Sequence, residues 1–383
     1  MLEQNENITM PSPPFRGSGG VYRFIIAGGG TGGHIFPAVA IANALKKLAP
    51  GSEFLFVGAK GKMEMEKVPQ AGYKIEGLDI AGFNRSSLIK NITLPFKLIK
   101  SFLQVSAIMK AFKPTAVIGV GGYSSFPVLR YAQSKAIPTF IHESNSFAGK
   151  SNMMLGKKAT RIFTAIDGME KFFPVEKILI SGNPVRQSIA TLRVSREEAV
   201  QHFGLAADKK VVLSVGGSLG AKSINEAIEK DFDLLEQHGL QLIWQTGKPF
   251  KDRALARAKG SSHVFVSDFI TQMEYAYAAA DIVISRSGAM AVSELCMVKK
   301  PVVFVPYPFA AEDHQTVNAK TLVNKEAAQM IPDADALQKL IPSLIALSAN
   351  ETLQQKLVQN IGKFALHDAD VVVAKEILKY VAN

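Results

Sequence analysis

The sequence predicts an α/β protein built from two doubly wound parallel sheets with a cleft between them. Short β-branched runs alternate with longer helical patterns, which is typical of βαβ units. A strand, a glycine loop and a helix follow one another twice, at Gly28 and again at Gly216, about half the chain apart. A length of 383 residues suits two domains. We therefore expect ligands at the carboxyl ends of both sheets.

Each half of the chain carries its own series of elements. The first half holds a predicted helix over 37–48 and six predicted strands, at 21–27, 53–57, 116–120, 139–142, 162–164 and 178–181. The second half holds a predicted helix ending near residue 237 and five predicted strands, at 211–215, 241–245, 264–266, 282–285 and 302–306. The domain boundary is predicted near 182–186, so that the N-terminal domain covers 21–181. Residues 1–20 lack an apolar signal core and are predicted to be a flexible tail.

The positive charge of the chain is confined to its first half. The sequence has 44 Lys+Arg against 33 Asp+Glu, a net charge of +11. Residues 1–181 contain 22 basic and 11 acidic residues, the whole excess of 11, whereas residues 182–383 contain 22 of each. This asymmetry indicates that the two domains face different partners, with nucleic acid, a membrane or an acidic substrate open for the first.

The composition excludes several classes of protein. A hydrophobic content of 47% with 20% charged residues indicates a globular chain, not a disordered one. The single cysteine, Cys296, excludes a disulfide framework and a cysteine-based zinc site, and it favours a reducing compartment. No apolar run approaches the ~18–20 residues that a membrane span needs.

Two glycine loops in the first half predict a diphosphate site. Residues 28–33 read G-G-G-T-G-G between a strand and a helix, a setting that favours pyrophosphate at the helix N-terminus. The following strand, 53–57, ends without the carboxylate that a dinucleotide site needs, so NAD is disfavoured. Residues 119–123, G-V-G-G-Y, form a second such loop. Tight turns that require positive φ are the alternative interpretation.

A third loop, in the second half, resembles a nucleotide-binding loop without matching it. Residues 216–223 read G-G-S-L-G-A-K-S, with Ala221 where an NTPase loop has glycine. No later strand ends in an aspartate placed to hold magnesium. We interpret the loop as one that binds phosphate through its backbone N–H groups and Ser218.

Polar residues that follow predicted strands are the remaining site candidates. His34 follows the first glycine loop and is our candidate general base, because an imidazole titrates near neutral pH. Glu143, in the run H-E-S-N at 142–145, is the next candidate. Glu294 suits ribose hydroxyls, and the run E-D-H-Q at 312–315 suits a sugar. Two Asp-Ala-Asp triplets, at 333–335 and 368–370, are interpreted as helix N-caps, so no metal is predicted.

Residues 81–113 combine apolar and basic side chains. Leu98, Phe102, Val105, Met109 and Phe112 have helical spacing and predict the core face of a helix. The remaining side chains suit an anionic membrane surface, with a partly buried loop as the alternative. They are the apolar Leu88, Ile89, Ile92, Leu94 and Phe96 and the basic Arg85, Lys90, Lys97 and Lys100. Nucleic acid is not predicted, because the basic residues are scattered and form no recognised motif.

Taken together, the motifs over residues 21–383 resemble the MurG family of UDP-N-acetylglucosamine transferases. They are GGTGGHIFPAVAIA at 29–42, GVGGYSSFPV at 119–128, HESNSFAGKSN at 142–152, GNPVR at 182–186, GGSLGAKSIN at 216–225, DFITQM at 268–273, SRSGAMAVSE at 285–294 and EDHQTVNA at 312–319. The resemblance implies the GT-B fold, in which two Rossmann-like domains enclose a cleft. It also implies a nucleotide-sugar domain over 182–366 and a final helix, 367–383, that packs back on the N-terminal domain.

The resemblance implies an inverting transfer of GlcNAc. The donor would be UDP-GlcNAc, and the acceptor the C4 hydroxyl of MurNAc in undecaprenyl-diphosphate-linked lipid I, so that the product is lipid II for peptidoglycan synthesis. No cofactor or metal is implied. The protein would be peripheral on the cytoplasmic face of the bacterial inner membrane, with cell-wall or division proteins as possible partners.

The resemblance also assigns residues. Gly30, Gly121, Gly122 and Tyr123 would face the acceptor diphosphate. The donor would be held by Thr31, Gly32, Gly33, Asn145, Arg186, Ser218, Ile270, Ala289, Met290, Glu294 and Gln315. Within that set, the Ile270 backbone would meet uracil, Glu294 the ribose, and Asn145 and Gln315 the sugar. The family more often has HEQN than HESN, so Ser144 departs from the commoner form but leaves Asn145 in place.

Two other functions remain open at this level. One is another GT-B enzyme, either a glycolipid glycosyltransferase or a UDP-GlcNAc 2-epimerase. The other is a non-catalytic protein that binds nucleotide sugars or acts as a membrane adaptor.

Overall fold

Two parallel β-sheets, one in each half of the chain, organise the protein. The computed structural model describes residues 21–82, 94–217, 219–310 and 313–382. The first sheet has seven strands, and the second has six. Every strand pairing is parallel, so the predicted fold class is confirmed.

The strand bounds lie within one or two residues of most predicted ones. The strands are β1 Arg23–Ala27, β2 Glu53–Ala59, β3 Lys74–Leu78, β4 Ala116–Gly119, β5 Thr139–Glu143, β6 Arg161–Thr164, β7 Ile178–Ile180, β8 Lys210–Val215, β9 Leu240–Gln245, β10 Val264–Ser267, β11 Ile282–Ser285, β12 Val302–Phe304 and β13 Gln329–Met330. Their order is β3-β2-β1-β4-β5-β6-β7 in the first sheet and β10-β9-β8-β11-β12-β13 in the second. The edge strands β3 and β13 were not predicted.

The α-helices cover both faces of each sheet. In the first half they are α1 Gly32–Leu48, α2 Glu64–Gln70, α3 Leu94–Phe112, α4 Ser125–Ser134 and α5 Lys150–Gly156. Those that follow are α6 Gln187–Ala190, α7 Arg196–His202, α8 Lys222–Lys230, α9 Phe232–Gln237, α10 Lys251–Arg257, α11 Met273–Ala279, α12 Ala289–Val298, α13 His314–Val323, α14 Ala336–Ser348, α15 Glu351–Gly362 and α16 Ala369–Val381.

Alternate side chains of the central strands enter different cores. In β1, Phe24 and Ile26 join the core beneath α1, whereas Ile25 and Ala27 join the core on the other face. This is the period-two pattern of a strand buried on both sides. The last helix, α16, completes the first of these cores with Val373, Ala374, Ile377 and Leu378.

Some sequence predictions were wrong in detail. Helix α1 begins at Gly32, five residues before the predicted start, so that Pro37 lies inside the helix. The helix predicted to end near residue 237 is two helices, α8 and α9. In α3, Val105 and Met109 are buried as predicted, but Leu98, near the start of the helix, is 37% exposed.

The predicted membrane patch is only partly covered by the structure. Leu88, Ile89, Lys90 and Ile92 lie outside the described residues. Leu94 is half-buried at the start of α3, and Phe96 and Lys97 are exposed. Across the described part of the chain, no helix has both the length and the apolar character required to cross a membrane.

Candidate active site in the interdomain cleft

The two glycine loops of the N-terminal domain lie against each other at neighbouring strand ends. Strand β1 pairs with β4, and Ala27 lies in register with Gly119. A Cβ on Gly122 would lie 2.6 Å from the carbonyl oxygen of Gly29, and Gly122 has a φ of +84°, so only glycine fits there. The fold thus brings the loop residues predicted for phosphate binding to one edge of the sheet. They are Gly30, Thr31, Gly32, Gly33, Gly121, Gly122 and Tyr123.

A buried carboxylate, missed by sequence reasoning, supports the first loop. Glu64, the first residue of α2, is 1% exposed. Its Oε2 accepts the Gly30 N–H at 2.8 Å, and its Oε1 accepts the Ala59 N–H at 2.9 Å. A Cβ on Gly29 would overlap the carboxylate, so glycine there leaves the space that Glu64 needs. Because the Gly30 N–H is engaged, any phosphate contact of this loop comes from other groups.

His34 lies in the first turn of α1, between the two loops. Its Nδ1 is 2.9 Å from the carbonyl oxygen of Gly29, and because a carbonyl only accepts, Nδ1 carries a proton. In the neutral imidazole, Nε2 is then the proton acceptor. The ring lies over Gly121, where a Cβ would come within 2.8 Å of Nε2. This geometry suits a general base at the edge of the diphosphate loops.

The loop after β5 is organised around the carboxylate of Glu143, which is 4% exposed. Oε1 accepts from the backbone and side-chain amides of Asn145, at 3.1 and 3.3 Å. Oε2 accepts from the Gly149 N–H at 3.0 Å and from the Asn152 amide at 2.8 Å. Four donors occupy this carboxylate, which favours a positioning role for Glu143 over its alternative role as base.

His142, near the end of β5, contacts the segment at Gly182 that leads from the N-terminal domain to the C-terminal domain. Its Nε2 lies 3.2 Å from the Gly182 carbonyl oxygen, and its Nδ1 lies 3.3 Å from the Ser144 hydroxyl. Burial lowers the pKa of His142 to about 4. The imidazole is therefore neutral at pH 7, with the Nε2 proton directed at the carbonyl.

The C-terminal domain presents the start of α12 to the same cleft. Helix α12 begins at Ala289, after the turn that follows β11, and no side chain caps its N-terminus. The Met290 side chain lies 4.0 Å from the position that a Cβ would take on Gly33. The N-termini of α1 and α12 therefore lie close together, which favours anionic groups between them.

Glu294, on α12, is held by two side chains. Its Oε1 accepts from Arg186 Nη2 at 3.1 Å, and its Oε2 accepts from the Tyr277 hydroxyl at 3.0 Å. Burial, and then the charge of Glu294, raise the pKa of Tyr277 well above its usual value, so the phenol stays a donor. Tyr277 was missed in the sequence because it lies in an alanine-rich run.

Arg186 also connects the two domains. Its guanidinium carbon lies 4.7 Å from the centroid of the Phe36 ring on α1. A cavity of about 610 Å³ opens beside it, and its lining includes Phe269 and Thr271, the neighbours of Ile270 in sequence. Most of its lining comes from α1, α2 and α16, and Ile270 itself is not part of it.

Gln315, a candidate for contact with the donor sugar, lies in the first turn of α13. The Gln315 side-chain oxygen accepts the Tyr307 N–H at 3.0 Å, which fixes its amide beside the end of β12. Ser218 lies outside the described residues.

The predicted N-cap role of Asp333 is wrong. Its carboxylate forms an ion pair with Arg286 Nη1 and accepts a hydrogen bond from the Ser223 hydroxyl. Arg286 follows β11 and also donates to the carbonyls of Val305 and Pro306, and Asp333 is the counter-ion of its partly buried charge. Among the residues with described positions, no group of three His, Cys, Asp or Glu side chains could hold a metal.

The sequence matches known domains over both halves. Residues 24–164 match the N-terminal domain of glycosyltransferase family 28, and residues 211–372 match its C-terminal domain. The chain belongs to glycosyltransferase family 28. In this family 28 chain, the first matched domain contains His34 and Glu143, and the second contains Tyr277 and Glu294.

Relatives of nearly equal length carry one name. A protein of Bacteroides fragilis is 49% identical over 95% of this chain and 97% of its own length. One of Phocaeicola vulgatus is 51% identical over 93% and 96%. Both are named UDP-N-acetylglucosamine–N-acetylmuramyl-(pentapeptide) pyrophosphoryl-undecaprenol N-acetylglucosamine transferase.

Solved structures of similar fold include enzymes of more than one kind. MurG of Acinetobacter baumannii has a TM-score of 0.72 at 29% identity and covers 94% of this chain and 99% of its own. A UDP-GlcNAc 2-epimerase of Neisseria meningitidis has a TM-score of 0.67 at 14% identity, covering 94% and 100%. The second likeness concerns the fold alone, and the predicted GT-B arrangement of two Rossmann-like domains is confirmed.

Proposed function

We infer that this family 28 chain is an inverting N-acetylglucosaminyltransferase. It moves GlcNAc from UDP-GlcNAc to the C4 hydroxyl of MurNAc in undecaprenyl-diphosphate-linked lipid I, and the product is lipid II for peptidoglycan synthesis. The observation that carries this function is the place of His34, whose Nε2 lies over Gly121 between two glycine loops. The names of the relatives at about 50% identity over nearly the full chain support the same reaction.

The reaction is a direct displacement at the anomeric carbon. The C4 hydroxyl attacks as UDP departs, and the α-linked donor becomes a β1–4 product. Nε2 of His34 takes the hydroxyl proton, because Nδ1 is already protonated toward Gly29. The helix N-termini at Gly32 and Ala289 stabilise the charge that develops on the diphosphate. We expect no metal to be needed.

The C-terminal domain supplies the nucleotide contacts. Glu294 keeps one lone pair on each carboxylate oxygen for the two ribose hydroxyls, because Arg186 and Tyr277 take one each. We expect the Ile270 backbone to meet the uracil, with the Phe36–Arg186 pair nearby. Ser218 and the N-terminus of α12 receive the phosphates, and Asn145 and Gln315 contact the sugar.

The N-terminal domain faces the membrane through α3. Phe96, Ile99 and Leu103 lie on one face of this helix and are 73%, 62% and 68% exposed. Lys97 is exposed on the same helix, and the chain's whole excess of positive charge lies in this half. An apolar face beside cations suits an anionic leaflet. It supports a peripheral position on the cytoplasmic face of the inner membrane, where lipid I would present its headgroup.

One assay separates the proposed function from its rivals. UDP release and the conversion of UDP-GlcNAc itself are both measured, with and without a lipid I analogue. A transferase releases UDP only when the acceptor is present. An epimerase converts UDP-GlcNAc without acceptor, and a binding protein takes up UDP-GlcNAc but releases no UDP in either case.

A further inference from the structure

The loop that carries Asn145 is fastened to the C-terminal domain on both sides of that residue. Asn145 itself is oriented by Glu143 within the N-terminal domain. Its two neighbours, Ser144 and Ser146, reach across the cleft through buried asparagines. The resemblance to known transferases assigned no role to either bridge.

The first bridge runs through Asn318 of α13. The Ser146 hydroxyl donates to Asn318 Oδ1 at 2.6 Å. The Asn318 amide then donates to the Ser287 carbonyl at 3.0 Å, and Asn318 is 6% exposed. Both polar atoms of this side chain are therefore used, one toward each domain. Ser287 lies in the turn that precedes α12 and donates its own hydroxyl to the Gln315 carbonyl at 2.8 Å.

The second bridge runs through Asn183, in the segment between β7 and α6. Its amide donates to the Ser144 carbonyl at 3.2 Å and to the Ser293 hydroxyl at 3.0 Å. The Ser293 hydroxyl donates to the Ala289 carbonyl at 3.0 Å, in the first turn of α12. Asn183 is 5% exposed.

Both bridges end on one short segment of the C-terminal domain, residues 287–293. That segment contains Ala289 and Met290, the expected phosphate contacts, and it immediately precedes Glu294. The loop that would touch the sugar is thus fixed relative to the helix that would hold the diphosphate. Buried hydrogen bonds of this kind set a geometry, because breaking one leaves a desolvated polar atom unpaired.

We propose that Ser146 and Asn318 are positioning residues that fasten the Asn145 loop over the sugar of the nucleotide-sugar donor. The proposal rests on the proposed function insofar as the donor is UDP-GlcNAc. UDP lacks the sugar that meets Asn145, so only UDP-GlcNAc uses the loop that the bridge holds. Loss of the bridge therefore weakens the binding of UDP-GlcNAc but leaves the binding of UDP unchanged.

The test compares two ligands on the full chain by titration calorimetry. Ser146→Ala removes the donated hydroxyl without adding bulk. We expect its dissociation constant for UDP-GlcNAc to rise roughly three- to tenfold, the range of one net hydrogen bond, with no change for UDP. Ser146→Thr keeps a hydroxyl and is expected to restore most of the affinity. Ser134→Ala is the matched control, because Ser134 is exposed and donates only to Tyr131 of its own helix.

A double-mutant cycle with Asn318→Ala identifies the contact itself. If the Ser146–Asn318 bond carries the effect, Ser146→Ala costs little further affinity for UDP-GlcNAc once Asn318 is alanine. Equal losses for UDP and UDP-GlcNAc in Ser146→Ala, or no loss for either, would overturn the proposal. Failure of the proposed function is recognised separately, as wild-type protein that binds UDP-GlcNAc but does not transfer its sugar to the acceptor.

Discussion

The hydroxyl of Tyr277 donates to Oε2 of Glu294 across 3.0 Å, and both side chains are buried. The phenol cannot ionise near neutral pH, because burial and then the neighbouring carboxylate raise its pKa well above the usual value. Tyr277 is therefore a permanent donor that fixes one carboxylate oxygen, while Arg186 fixes the other.

Removal of the Tyr277 hydroxyl should weaken nucleotide binding and leave the fold intact. In Tyr277→Phe, Glu294 loses one of its two anchors, and we expect UDP to bind roughly three- to tenfold more weakly by calorimetry. Tyr275→Phe is the matched control, since Tyr275 lies on the same helix but donates to Glu198, a partner outside the cleft. Equal affinity of Tyr277→Phe and wild type would contradict the role assigned to Glu294.

Replacement of His34 should reduce catalysis far more than donor binding. General bases contribute about 10²–10⁴-fold to rate, so we expect kcat of His34→Ala to fall by that order with the lipid I analogue. The affinity for UDP-GlcNAc should change little. His238→Ala serves as control, because His238 is exposed at the end of α9. A near-normal kcat in His34→Ala would rule out the base assignment.

Glu64 should matter to both stability and acceptor use. In Glu64→Gln, an amide NH₂ replaces one of the two oxygens that accept the N–H groups of Gly30 and Ala59, so one of these hydrogen bonds is lost. We expect the free energy of unfolding to fall by about 1–3 kcal/mol. Thermal unfolding should begin at lower temperature, and the KM for the acceptor should rise with little change in the KM for the donor. Glu66→Gln, an exposed position on the same helix, is the control. If Glu64→Gln behaved like Glu66→Gln in both measurements, Glu64 would not support the loop.

His142 should make the protein less stable in mild acid. Burial lowers its folded pKa to about 4, whereas the unfolded value is near 6.5, so between these values the unfolded chain binds a proton that the folded chain does not. Stability should therefore fall as the pH is lowered through this window, by about 3 kcal/mol in total. The measurement is the free energy of unfolding by urea at a series of pH values from 7 to 4.

The control for that experiment is His142→Gln. Glutamine does not titrate, yet it keeps an N–H able to reach the carbonyl of Gly182. The difference in unfolding free energy between wild type and variant should shrink as the pH falls. Parallel curves would mean that other groups cause the acid sensitivity.

The apolar face of α3 should determine vesicle binding. Replacing Phe96 and Leu103 with serine removes exposed apolar surface, and we expect weaker sedimentation with anionic vesicles at unchanged affinity for UDP. Leu255→Ser, at an exposed leucine of α10, is the control. Added salt should release wild type from vesicles more than it weakens UDP binding, because exposed charges are screened. Equal losses would contradict the assignment of the two domains to different partners.

Local patterns predicted most of the fold. The buried strands of both sheets are continuous apolar runs, and the two glycine loops follow strands that prove to be neighbours, β1 and β4. The edge strand β3 was not predicted because its first four residues alternate between exposed and half-buried. Strand β13 was not predicted because it has two residues. Such short or half-polar segments carry no signal that separates them from loops.

The supporting residues of the site could not be read from the sequence. Glu64 lies in a polar helical run, and its partner Gly30 is 34 residues away. Asp333 looked like a helix cap, but its partner Arg286 is 47 residues away. The partners of each carboxylate are set by tertiary contacts that neither spacing nor composition encodes.

The chain leaves the N-terminal domain after β7 and returns to it with α16. Val373 and Ile377 of that helix fill the same core as Phe24 of β1. During synthesis, the core beneath α1 therefore lacks one of its helices until the whole second domain has been made. The N-terminal domain, although translated first, is completed last, and the apolar surface that α16 will cover beside α1 stays open to chaperones or to aggregation for most of translation.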